Sequence, residues 1–294
     1  MQLLIFLIAY PILLFISILP FRILYVLSDI VCFFVYRVFG YRKKVVRENL
    51  ALALPHLSEM ERLVIEKKSY QHLCDMFLEM IKTISISKKE MDRRFVFKNL
   101  DTYNSLEKEG KSIALLLSHY ASYEWVISMN SKVSYKGYAV YKKVNNKYFD
   151  SLVRKIRSKF DAELIPINKT AEVVAYNFSN GIQSLYGFVS DQSPQLRTKN
   201  YWRNFMGIEV PVYVGAELLS KKFDMNVVFL KVSKVKRGFY EAELEVLTTD
   251  IKKIPDFEIM DVFLRKVEQQ IIEAPEFYLW THKRWKHSGK KPKA

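Results

Sequence analysis

The sequence predicts an α/β protein: a central mixed, largely parallel sheet flanked by helices, with an N-terminal transmembrane helix and a helical annex. Three observations lead there. Half of the 294 residues are hydrophobic, enough to bury a sizeable core. From Lys111 onward, short apolar runs alternate with segments of helical periodicity. Before that, from Leu3 to Phe21, no residue is charged, a length that can cross a bilayer core as a helix.

The N-terminal run reads as an anchor rather than a cleaved signal. No Lys or Arg precedes it and no small-residue cleavage pattern follows it. A buried hairpin helix is the alternative, with Pro11 and Pro20 as breakers. Arg22, Arg37, Arg42, Lys43, Lys44 and Arg47 follow, and Asp29 is the sole acid before Glu48. The positive-inside rule therefore puts the remainder in the cytoplasm behind a single span. The next apolar run, Ile23 to Tyr36, carries Asp29 and reads as an interfacial helix. These features divide the chain into an anchor with interfacial helix (1–40), an amphipathic helical annex (41–95) and a catalytic α/β domain (96–294).

In the annex, Ser58 and Glu61 have the spacing of a capping box after Pro55. They open a helix over about 58–83, with Leu63, Tyr70, Leu73, Phe77 and Met80 at helical spacing. The run Ile113–Leu117 is apolar throughout, as in a strand covered on both faces. Asn145 and Asn146 can cap a helix presenting Phe149, Val153, Ile156 and Phe160, and the next strand begins at Leu164. Strands follow over 185–189 and 225–232. Ala242, Leu244 and Val246 alternate with glutamates in a half-exposed strand, joined to its predecessor by a turn at Lys236-Arg237-Gly238. A last helix over about 256–272 precedes a tail with six Lys or Arg after Thr281 and no acid, which reads as a solvated basic segment.

The formal charge of +15 implies an acidic partner: nucleic acid, an anionic membrane surface, a phosphorylated lipid or an acidic protein. Cys32 and Cys74 are the two cysteines, with no C-x-x-C, which argues against a disulfide framework or a thiolate metal site. Neither a P-loop nor G-x-G-x-x-G occurs among the nine glycines. Ser122 has no nucleophile elbow around it, and His282 and His287 lie among cations that would repel a metal. His56 and His72 are expected on surfaces, and Trp280 and Trp285 at a membrane interface or in the core.

His119 follows the Ile113–Ser118 segment, and Glu124 lies five residues on. On one continuous helix that gap turns through about 500°, so the side chains converge only if the chain turns between them. A strand-loop-helix layout at the carboxyl edge of the sheet does this. Glu124 can then hold one imidazole nitrogen of His119 and leave the other as general base for an alcohol. No metal or cofactor is required. Arg157 lies about 80° from the apolar stripe of its helix and Arg154 about 140°, so Arg157 is the better placed to point inward. Asp191 follows another strand at the same edge.

Beyond these pairs, the chain resembles the late (lauroyl/myristoyl-type) acyltransferases of lipid A biosynthesis, within the wider lysophospholipid acyltransferase group. The resemblance rests on the apolar N-terminus, Gly40 through Leu50, Phe77 through Lys82 and the His119–Glu124 box. It continues through Ile156-Arg157, Ala162 through Pro166, Asp191-Gln192-Ser193-Pro194, Phe205-Met206-Gly207, Pro211 through Ala216, and Pro275 through Arg284. It implies His119 and Glu124 as catalytic residues, with Arg157, Asp191 and Gln192 supporting catalysis or binding substrate. It further implies an acyl-acyl-carrier-protein co-substrate, an anionic glycolipid acceptor of the lipid A type, and work at the cytoplasmic face of a bacterial inner membrane, with no nucleic acid involved. Two stretches depart from the family pattern, Lys142-Lys143 in place of Arg-Pro, and Glu209-Val210-Pro211-Val212; they bear on acceptor and chain-length preference rather than reaction type. Rival readings are acylation of another membrane lipid, an aminolipid or a mannosylated phosphoinositide, and a membrane-tethered module that binds anionic lipid without catalysis.

Overall fold

The structure is a computed structural model describing residues 2–197 and 200–291. Its strands are β1 (Phe95–Phe97), β2 (Ile113–Leu117), β3 (Lys136–Tyr141), β4 (Glu163–Pro166), β5 (Ser184–Val189), β6 (Tyr201–Phe205), β7 (Ile208–Val212), β8 (Asn226–Lys236) and β9 (Phe239–Thr248). Its α-helices are α1 (Gln2–Ile18), α2 (Phe21–Phe33), α3 (Lys43–Ala53), α4 (Glu59–Lys82), α5 (Lys88–Arg94), α6 (Leu100–Lys108), α7 (Lys147–Arg157), α8 (Thr170–Ser179), α9 (Gly215–Lys222) and α10 (Glu258–Glu273).

Every side chain of β2 is buried, and this strand sits at the centre of a seven-stranded sheet ordered β1-β9-β8-β2-β5-β3-β4. A strand apolar at every position can lie only where both sheet faces are covered. All neighbours run parallel except β8 and β9, which form the hairpin expected at Lys236-Arg237-Gly238. Gly238 turns there with φ +74°, a left-handed conformation that costs glycine little. The predicted α/β architecture is therefore present, with β6 and β7 as an additional antiparallel hairpin outside the main sheet.

The N-terminus departs from a single free-standing span. α1 has 17 residues, about 26 Å of helix against a hydrocarbon core of about 30 Å, and no single helix among the described residues is long and apolar enough to cross a membrane. The chain breaks at Pro20, which starts α2. α1 lies along the protein body: Lys82 donates from Nζ to the carbonyls of Ser17 and Leu19, both at 2.7 Å, satisfying carbonyls at the C-terminal end of α1. Phe6 packs on Tyr148 and Phe149 of α7. The other faces of α1 and α2 expose Leu4, Ile8, Phe15, Val26 and Phe33.

α4 carries the predicted capping box, Ser58 with Glu61, and Tyr70 and Leu73 of the predicted apolar stripe are core residues, but the inward face is not apolar throughout. Phe77 is exposed, whereas Glu66, Asp75 and Glu79 are buried. Buried carboxylates persist only with partners, and α2, the helical turn Phe34–Val38 that continues it, α3 and the β8–β9 hairpin supply them. Ser28 donates to Asp75 (2.7 Å), Arg237 donates to Asp75 (2.7 Å), Tyr36 and Arg47 donate to Glu66, and Tyr25 and Tyr240 donate to the two oxygens of Glu79 (2.7 and 2.8 Å).

The tail is likewise no solvated segment over 277–285. Trp280 and Trp285 are core residues, stacked on each other at 6.0 Å, and Trp285 stacks on Phe205 at 5.8 Å. Burial of three aromatic rings outweighs the solvation of the cations between them. His72, expected on a surface, is buried against Phe277. Lys293 of the predicted tail lies outside the described residues.

Candidate active site

Strand register builds the site. β2 and β5 are adjacent and parallel with Leu117 opposite Val189, so His119 and Asp191 each leave the carboxyl edge two residues past a paired position. Neighbouring strands lie about 4.8 Å apart, which puts the two side chains within reach. Asp191 Oδ1 accepts from His119 Nδ1 at 2.7 Å and from the His119 backbone N–H at 3.0 Å. Asp191 is 1 % exposed and the His119 side chain 17 %, so the carboxylate is sealed while the imidazole opens outward. Burial alone would raise the Asp191 carboxyl, but the imidazole and backbone N–H of His119 hold it below its ordinary value.

The orienting carboxylate is thus Asp191, not Glu124. Glu124 stands where the sequence put it, in the first turn of a 3-10 helix, Tyr123–Ser131, after a loop in which Ala121 takes φ +48°. Its carboxylate turns away from the imidazole, and no hydrogen bond joins it to His119 among the described residues. Arg157, at the end of α7, claims it with a two-pronged contact: Nε to Oε2 at 3.0 Å and Nη2 to Oε1 at 2.6 Å. A planar guanidinium fits a carboxylate in this way better than an imidazole does. Burial disfavours the Arg157 cation, yet the Glu124 carboxylate more than compensates and its pKa is raised. Arg154 is exposed, as the helical geometry predicted. Gln192 is half-buried beside Asp191 and makes no hydrogen bond among the described residues.

Tyr123 stands between the two pairs. Its ring meets the His119 ring edge-on at 4.8 Å, and its hydroxyl is raised by burial and by the charges of Glu124 and Asp191, with Arg157 opposing. The remaining support comes from the chain terminus, in a role that the sequence reading did not assign. Leu279 N–H donates to the His119 carbonyl (3.2 Å), Ala121 N–H to the Phe277 carbonyl (3.0 Å), and Tyr120 pairs with Tyr278. On the other loop, Ser193 N–H donates to His282 Nε2 (3.3 Å) and its hydroxyl to the Arg284 carbonyl. Burial pushes the His282 imidazole down to about 4, so it stays a neutral acceptor. The signal for this role was the alternation of aromatic and basic residues in Tyr278–Trp285, which does not suit a solvated tail.

Chemically, the edge presents an imidazole whose Nδ1 is held by a buried carboxylate, with an arginine–glutamate pair beside it and a tyrosine between. An imidazole held in this way at the carboxyl edge of an α/β sheet is able to take and return a proton. A sequence model of the bacterial lipid A biosynthesis acyltransferase family matches residues 2–287. The chain belongs to that family, and membership makes it an acyltransferase. No curated protein matches it.

Proposed function

We propose that this protein transfers a fatty acyl chain from an acyl-carrier-protein thioester to a hydroxyl of a lipid A precursor, with His119 as general base. The observation that carries this reading is the 2.7 Å contact of His119 Nδ1 with sealed Asp191, which leaves Nε2 as the outward nitrogen. An alcohol is too weakly acidic to ionise near neutral pH, and an imidazole, with an ordinary pKa of about 6.5, takes its proton as the new bond to the acyl carbon forms. Asp191 fixes the tautomer and stabilises the imidazolium. The thioester carbonyl develops negative charge in the same step. Nearby loop amides are committed: His119 N–H to Asp191, Tyr120 N–H to Ser118 and Ala121 N–H to Phe277. Arg157, steadied by Glu124, is a charged donor beside the pair that can serve that oxyanion or an acceptor phosphate. The thiolate then leaves and collects the proton from His119.

The same reading places the enzyme on the inner membrane by the apolar faces of α1 and α2, lying in the interface rather than relying on one crossing helix. The net charge of +15 suits both an anionic surface and an acidic carrier protein. The test is transfer of label from acyl-acyl-carrier-protein to lipid A precursor in membranes. We expect His119→Ala to lower turnover by about 10² to 10⁴, the usual worth of a general base, with melting unchanged. Near-normal turnover in that variant would overturn the mechanism, and an inactive wild type that still binds anionic lipid would favour a binding module.

A further inference from the structure

Between Val140 and Phe160 the chain carries seven Lys or Arg and one acid, Asp150. Asp150 is buried and accepts from the Val144 N–H at 2.9 Å and the Tyr141 hydroxyl at 3.4 Å, so it is turned away from the surface. Arg157 is taken by Glu124, and Lys159 donates to the carbonyls of Thr83 and Ile84. The other five, Lys142, Lys143, Lys147, Arg154 and Lys155, are exposed and meet no carboxylate among the described residues. The lysines at the borders of this stretch are different: Lys136 pairs with Glu163 and Lys169 with Glu172. Like charges left together without a counter-charge repel, and an anionic partner relieves that repulsion.

Two placements say what the partner is. The first is register. β3 and β5 are parallel with Ala139 opposite Gly187, and β5 and β2 are parallel with Val189 opposite Leu117. Carrying the first pairing two residues on sets Tyr141 level with Val189 and Leu117, so Lys142 and Lys143 leave the sheet at the carboxyl edge that carries His119. The second is the start of α1, which lies against this loop and helix: Asn146 Nδ2 donates to the Gln2 carbonyl at 3.4 Å, and Phe6 packs on Tyr148 and Phe149. Lys155 stands seven residues past Tyr148, on the same flank of α7. From there α1 turns Leu4 and Ile8 outward, 63 % and 62 % exposed. An apolar helix face bordered by unpaired cations suits an anionic bilayer, the apolar side chains below the headgroups and the cations among the phosphates. An acidic carrier protein would meet the cations but brings no hydrocarbon for Leu4 and Ile8.

We infer that Lys142, Lys143, Lys147, Arg154 and Lys155 form the surface that rests on anionic phospholipid headgroups. This rests on the reading of α1 and α2 as the membrane face. The apolar face attaches the protein to any bilayer, and the cations add the preference for an anionic one. A contact made by the β3–α7 loop also brings the edge that carries His119 to the bilayer, where a lipid acceptor lies.

The experiment is co-sedimentation of the full-length protein with vesicles of phosphatidylcholine, alone or mixed with phosphatidylglycerol. The test variant changes Lys142, Lys143, Lys147 and Lys155 together to Gln. A charge-matched control changes Lys108, Lys222, Lys252 and Lys253, which lie toward the opposite edge of the sheet, to Gln. We expect the test variant to bind the mixed vesicles more weakly by about 10² to 10³, about fivefold for each lysine, and the neutral vesicles as wild type does. The control should lose far less, and all three proteins should melt alike, since the changes are at the surface. A test variant that binds mixed vesicles like wild type, or loses no more than the control, would overturn the inference. So would a raised KM for carrier-protein thioester with vesicle binding intact, which would assign the lysines to the carrier. The serine variant of Leu4, Ile8, Phe15, Val26 and Phe33 separates the two readings: its undiminished binding to neutral vesicles would show that the membrane-face reading had itself failed.

Discussion

Asp191→Asn separates the geometry seen here from the simpler pairing of His119 with Glu124. The substitution keeps the side-chain shape and one oxygen able to accept from the His119 backbone N–H. It removes the negative charge that faces the imidazolium in the transition state. With about 4 Å between charge centres and an effective dielectric of about 20, that attraction is worth about 4 kcal/mol, or about 10³ in rate. The amide has a second way to do harm. If its NH₂ turns toward Nδ1, that nitrogen becomes the acceptor, the proton moves to Nε2, and the base is blocked. Turnover should fall by about 10² to 10⁴. The assay is single-turnover acyl transfer with carrier-protein thioester, run beside melting and donor binding, for Asp191→Asn and Glu124→Gln. Turnover of Asp191→Asn close to wild type, with Glu124→Gln inactive, would return the orienting role to Glu124 and refute the argument.

Glu79 gives a stability signature: burial pushes its carboxyl up to about 7 from an ordinary 4.5, although Tyr25, Lys234 and Tyr240 pull the other way. The folded state then binds more protons than the unfolded state between those values, so this group's contribution to stability falls as pH rises from about 4.5 through about 7, by about 3 kcal/mol in all, and is flat above. The melting difference between Glu79→Gln and wild type should therefore shift in favour of the variant over that window, and a pH-independent difference would refute it. At the N-terminus, replacing exposed Leu4, Ile8, Phe15, Val26 and Phe33 with serine should release the protein from membranes in a carbonate wash with melting little changed, whereas deleting residues 1–40 should lower melting sharply, because Glu66, Asp75 and Glu79 lose Tyr36, Ser28 and Tyr25. Retention of the serine variant in the pellet would show that this face does not hold the membrane.

The sheet was legible where its strands are apolar runs or alternate cleanly: β2 and β5 fall where Ile113–Leu117 and Leu185–Val189 were read and β9 where apolar residues alternate with glutamates, whereas the three-residue β1 and β3, which opens on Lys136-Gly137, carry no such signal. The α4 face was legible in part: Tyr70 and Leu73 of the stripe are buried, but Phe77 is exposed. The inward face also carries Asp75 and Glu79, whose donors Ser28, Tyr25, Arg237 and Tyr240 come from α2 and β8–β9, remote in sequence. Local periodicity cannot see a partner of that kind. The end of the chain misled for a related reason: counting cations after Thr281 ignored the aromatic rings between them, and Arg284 is buried by those rings.

Within the site, sequence distance was the misleading quantity. Glu124 is five residues from His119 and was drawn to it, while Asp191 is 72 residues away and holds it. The signal was in the sequence as a parallel: Leu117-Ser118-His119 and Val189-Ser190-Asp191 both place an apolar strand end, a serine and then a polar side chain. Two parallel strands side by side turn that parallel into contact, and only topology reveals that β2 and β5 are neighbours. The arrangement that follows gives each carboxylate its own partner: Arg157 takes Glu124 in a two-pronged contact, and Asp191 is left to hold His119 Nδ1. A guanidinium matches both oxygens of a carboxylate at once, which an imidazole cannot do, so the nearer acid in sequence goes to the arginine. The ring is then fixed by one sealed acid behind it, and its other nitrogen faces outward.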